Sequence, residues 1–154
     1  SSNIIFQSDD FYLYASSSFR FATTGTVTIR SVNNTFTDAQ SLSTFTLNDN
    51  SLTMSGFTFG KSTNTSNITL DSDISASGAV TVYGSTINLY NNITSSGAGD
   101  ITISASTKIE DNTTRRSVTN SSGDIYLIAD SDGVEDTEQP PQTNANHTCP
   151  PFMD

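Results

Sequence analysis

Seven asparagines open an N-x-S/T triplet in which x is not proline: Asn33, Asn64, Asn67, Asn92, Asn112, Asn120 and Asn146. Each offers a side-chain amide nitrogen to which a glycan can be joined, with the required hydroxyl two residues further on. With 14 Asn and 49 Ser plus Thr in 154 residues, chance supplies about four or five such triplets, so seven is a mild excess. The competing explanation is that Asn, Ser and Thr populate the turns and stacked ladders of a β-structure. Glycosylation is the reading adopted, because a strand-rich chain of low charge needs something to keep its edges from associating. It implies secretion.

Other reactive groups are sparse. Cys149 is the only cysteine, so the chain has no internal bridge, and a secreted context makes it a candidate for a covalent link to another chain. Asp130, Asp132 and Asp136 alternate around Gly133 like part of a calcium loop. That makes calcium the one cofactor candidate, although Ile128 stands where the first acid of the loop belongs. Catalysis is not expected. The single His147 lies in the tail, away from any serine nucleophile. Asp100, Asp111, Asp124, Arg115 and Arg116 are scattered across turns, with no carboxylate pair at hydrolytic spacing.

The elements that carry these residues announce themselves by alternation. Val27-Thr28-Ile29, Leu52-Thr53-Met54, Phe57-Thr58-Phe59, Ile68-Thr69-Leu70, Val80-Thr81-Val82, Ile87-Asn88-Leu89, Ile101-Thr102-Ile103 and Ile125-Tyr126-Leu127 each point two apolar side chains one way and one the other. Ser, Gly, Asn and Asp separate them. No window sustains a helical apolar spacing. Gly78, Gly99 and Gly123 precede three of these triplets at intervals of 21 and 24 residues, and a period near twenty holding several short strands predicts a solenoid with one coil per repeat. A lone coil cannot bury its inward face, but stacked coils can. The low content of Leu, Ile, Val and Phe, 34 residues in all, suits so narrow a core.

Residues 66–132 resemble the repeats of filamentous-haemagglutinin-type adhesins. The resemblance rests on Ser66-Asn67-Ile68-Thr69-Leu70, Gly84-Ser85-Thr86-Ile87-Asn88-Leu89, Asn92-Ile93-Thr94-Ser95-Ser96-Gly97 and Gly99-Asp100-Ile101-Thr102-Ile103-Ser104-Ala105. It implies a right-handed parallel β-helix on a secreted, surface-attached fibre. Residues 1–65 follow the pattern loosely and concentrate the aromatics, which suits wider coils or core filling. Outward Thr28, Thr58, Thr69, Thr81 and Thr102 suggest an ice-binding array, but only Thr26-Val27-Thr28 has the doubled form, and a solvated strand face is the simpler reading.

The sequence therefore predicts an all-β, right-handed parallel β-helix of about six coils over residues 1–133, regular from 66 to 133. An acidic extended arm containing Pro140 and Pro141 follows over 134–154. With two Lys and four Arg, nucleic acid is not an expected partner; with no long apolar run, neither is membrane insertion. The start Ser1-Ser2-Asn3 suggests a processed product or a fragment. The functional expectation is a glycosylated structural subunit of an extracellular filament, partnered by copies of itself and by the cell surface or matrix. Its alternative is an adhesin domain that binds a glycan or host protein. A polysaccharide-active enzyme and an ice-binding protein are more distant readings.

Overall fold

The computed structural model describes residues 2–12, 19–47, 53–111 and 116–129. Leu52, the arm over 134–154 and the tail groups Asp130, Asp132, Asp136, Asn146, His147 and Cys149 lie outside them, as do Asn112 and Arg115.

Alternation produces strands, and the strands stack in parallel as a β-solenoid of about five turns. Its longest face joins β1 (Ile4–Gln7), β3 (Thr26–Arg30), β6 (Gly56–Phe59), β9 (Val80–Leu89), β11 (Ile101–Asp111) and β13 (Ile125–Ile128) in that order. The six rungs enclose five coil-to-coil steps. Following the inward register from Ile4 through Val27, Phe57, Val80 and Ile101 to Ile125 gives coils of 23, 30, 23, 21 and 24 residues. The last two are the intervals carried by Gly78, Gly99 and Gly123.

A second face joins β4 (Gln40–Ser41), β7 (Ile68–Leu70) and the C-terminal halves of β9 and β11. The third joins β8 (Ile74–Ala76), β10 (Ile93–Ser95) and β12 (Val118–Asn120), with Met54 bridging to Ala76. In the wide N-terminal coils β2 (Phe19–Phe21) pairs with β5 (Phe45–Leu47), which follows a 3₁₀ turn over Leu42–Thr44.

The corner between the first two faces is visible in the inward positions of β9, which run 80, 82, 84 and then 87, 89. One residue is added on the outside, and the pleat changes sides. In β11 the same corner takes one residue more, with the register slipping between Ala105 and Lys108. This bulge lengthens the coil. Inside, Val27, Phe57, Val80 and Ile101 form one ladder and Ile29, Phe59, Val82 and Ile103 another, none more than 2% exposed. Each such side chain, once buried, contributes about 1.5–3 kcal/mol. The N-terminal aromatics fill the wide coils. Phe36 meets Phe59 at 6.0 Å, Phe45 meets Phe6 at 5.4 Å, and Phe11 lies edge-on to Phe45 at 5.1 Å.

Glycine is required where coils approach most closely. A Cβ on Gly99 would overlap the backbone of Gly78 and Ala79 one coil below. Gly60 turns the chain out of β6 with φ of 86°, a left-handed conformation that side chains resist.

Candidate functional site

The amide and carboxylate side chains at the corners perform a common task. Asn3, Asp9, Asn67, Asp73, Asn92 and Asp100 each use Oδ1 to accept the backbone N–H of Thr26, Asn33, Thr86, Asn92, Ser117 and Asp124, between 2.7 and 3.1 Å away and one coil further along. Corner N–H groups have no strand partner, so this satisfies donors that the ladder leaves over. Asp71 accepts in the opposite sense, from the N–H of Ser43 at 2.7 Å. The prevailing direction gives the solenoid a chemical polarity: acceptors face the C-terminal end.

The glycosylation candidates fall into two groups in this frame. Asn64 is 3% exposed. Its Nδ2 donates to the carbonyls of Tyr83 at 2.9 Å and Ser66 at 3.3 Å, while its Oδ1 accepts from the N–H groups of Phe36 and Ser66 and from the Thr35 hydroxyl. It is an internal post that ties the loop after β6 to the coils on either side. Asn120 is half-buried and its Nδ2 donates to Gly99 O at 2.9 Å and Asp124 O at 3.1 Å.

Asn33, Asn67 and Asn92 are exposed. Asn67 and Asn92 use Oδ1 for the corner bonds just described and have no Nδ2 partner among the described residues. Asn33 donates from Nδ2 to Asp9 Oδ2.

The scattered acids do not converge. Asp100 and Asp124 are stacked through the backbone bond, Asp111 pairs with the buried Arg116 at 2.9 Å, and no group of three or more potential metal ligands occurs among the described residues. Asp124 Oδ2 accepts from the Tyr126 hydroxyl at 3.1 Å. This bond, then the charge of Asp124 and that of Asp100, raises the Tyr126 phenol above its ordinary range. Outward Thr28, Thr58, Thr81 and Thr102 form a single in-register column, continued by Ile5 at one end and Tyr126 at the other. Thr69 belongs to the second face, beside Ser41 and Asn88.

The last rung is the most conspicuous feature of the surface. Ile125, Tyr126, Leu127 and Ile128 are 42%, 45%, 53% and 43% exposed, although Ile125 and Leu127 continue the two inward ladders. The alternation marks the triplet as a strand but does not reveal that no described strand pairs with its outer edge. At the other end Ile4 and Phe6 occupy the same ladder positions and are half-buried.

Comparison with protein-family models, with curated protein sequences and with solved structures finds no match. The β-helix architecture implied by the adhesin-like repeats is present in the fold. The adhesin type itself rests on the repeats alone.

Proposed function

We propose that this chain is a structural subunit of an extracellular, glycosylated filament, built by end-to-end stacking of its solenoid on further copies. The observation that carries the reading is the rung Ile125–Ile128. It presents about half of four consecutive large side chains to solvent, together with a row of strand hydrogen-bonding groups that no described strand pairs, while the first rung offers the matching register. Placed on Ile4–Gln7 of a second copy, Ile125 falls on Ile4 and Leu127 on Phe6, as Ile101 and Ile103 fall on Ile125 and Leu127 within the chain. Polarity agrees: Asp124 Oδ1 has no partner among the described residues and holds the position from which Asp100 accepts a bond. It would receive the N–H of Asn3. A contact that repeats head to tail without closing yields a filament.

Sedimentation velocity over a concentration series tests this. The chain should form species larger than monomer in a concentration-dependent way, and Leu127→Asp, which places a charge on the stacking surface, should return it to monomer. A monomer at every concentration would overturn the proposal. The adhesin reading is favoured by a different feature, the in-register column Thr28, Thr58, Thr81 and Thr102 ending at Tyr126. Saturable glycan binding lost in Thr81→Lys would support it.

A further inference from the structure

We infer that Asn33, Asn67 and Asn92 are the glycan-bearing asparagines among the described sequons, and that Asn64 and Asn120 carry none. The inference rests on the proposal that the chain enters a glycosylating secretory route. Its own basis is the chemistry of the amide. Transfer from a lipid-pyrophosphate-linked oligosaccharide forms a bond between sugar C1 and Nδ2 and breaks the C1–O bond, so that the pyrophosphate leaves and one amide proton passes to a base of the transferase. The product amide keeps Oδ1 as an acceptor and a single N–H.

That product fits the fold at three sites. At Asn67 and Asn92 the structural bond is made by Oδ1, to Thr86 N–H at 3.1 Å and Ser117 N–H at 2.9 Å, and it survives the reaction. The same bond fixes the amide plane with Oδ1 towards the next coil. At Asn33 one proton of Nδ2 is held by Asp9 and the other is available. The product does not fit at Asn64 or Asn120. Both protons of Nδ2 are already donated there, to Tyr83 O and Ser66 O and to Gly99 O and Asp124 O respectively. Losing one breaks a bond that ties the residue to the neighbouring turn or coil, and at Asn64 the 3% exposure leaves the sugar no exit.

A second observation, independent of the geometry, divides the same five. The three compatible sites have Thr as the hydroxyl residue, Thr35, Thr69 and Thr94; the two incompatible ones have Ser66 and Ser122. Threonine triplets are the better acceptors. Where the fold needs a free amide, the sequence carries the weaker acceptor, and the three permitted glycans would stand at corners on the flanks of the rod, clear of the Ile125–Ile128 end.

The test is to express the full chain through a eukaryotic secretory host, collect the secreted protease-resistant protein, and release glycans enzymatically in ¹⁸O water so that each occupied Asn becomes labelled Asp. Label is expected at Asn33, Asn67 and Asn92 and absent from Asn64 and Asn120. Label at Asn64 or Asn120 in that fraction overturns the inference, as does its absence from both Asn67 and Asn92. A second measurement needs no secretion. In a bacterially made Cys149→Ser background, Asn67→Cys and Asn92→Cys should react with maleimide at the rate of the urea-unfolded chain and Asn120→Cys at least tenfold slower; equal rates at all three overturn the inference. Sedimentation of the deglycosylated protein separates this result from the filament proposal, since either can fail while the other stands.

Discussion

Replacing Asn64 by Ala should destabilise the chain far more than replacing Asn67, three residues away and in the same kind of triplet. Asn64→Ala strands the buried N–H of Phe36, bonded at 3.2 Å, and the carbonyl of Tyr83, bonded at 2.9 Å. Water can reach the half-buried Thr35 and Ser66 groups, so they are discounted. A stranded buried group costs about 1–3 kcal/mol, so the two together give about 3 kcal/mol. Asn67→Ala removes one exposed bond, from Thr86 N–H, at about 0.5 kcal/mol. At about 2–4 °C per kcal/mol for a chain of this size, the Tm of Asn64→Ala should fall by about 6–12 °C and that of Asn67→Ala by about 1–2 °C. Urea unfolding followed by circular dichroism, on unglycosylated protein, reads both. A loss below about 1 kcal/mol for Asn64→Ala, or equal losses for the two, would refute the claim that Asn64 is an internal post.

Two further outcomes follow from the coil contacts. Gly99→Ala places a Cβ against the backbone of the coil below, which cannot move without opening the first face; it should lower the urea midpoint by an amount equivalent to at least about 2 kcal/mol, the scale of an overpacked core site. Tyr126 should titrate above the ordinary tyrosine range, as read by ring chemical shifts, and Asp124→Asn should lower it. The sign is that of a folded-state pKa raised above the unfolded one: the small stabilisation is fully present below the ordinary tyrosine range and disappears as pH rises through the folded value.

The rungs that could be read in advance are those where both inward residues are large. Val80-Thr81-Val82, Ile101-Thr102-Ile103 and Ile125-Tyr126-Leu127 alternate cleanly, and the intervals of 21 and 24 between them are true coil lengths. The third face is quieter, since Ile74-Ser75-Ala76 and Val118-Thr119-Asn120 put a small or polar residue at one inward position, where Ser95 is also fully buried. Leu52-Thr53-Met54 reads as strongly as any triplet, yet within the described residues Met54 makes an isolated bridge. The 30-residue coil hides its period because the loop over 31–39 and the 3₁₀ turn are inserted between faces.

Sequence places seven acceptor asparagines and separates them only by Thr or Ser at the hydroxyl position, which says nothing of burial or bonding. Asn64 and Asn67 lie three residues apart, and what separates them in the fold is which atom of the amide faces the adjacent coil, 19 to 29 residues away along the chain. No local pattern encodes that. The corner Asx residues were legible only as turn formers for the same reason. Their partners lie one coil on, and coil length varies.

Electron microscopy of the concentrated, purified chain tests the central claim most directly. Six rungs per subunit at about 4.8 Å per rung predict unbranched filaments with a subunit repeat of about 29 Å and a strong 4.8 Å meridional spacing. Discrete particles of monomer size, with no filaments at any concentration, would contradict it.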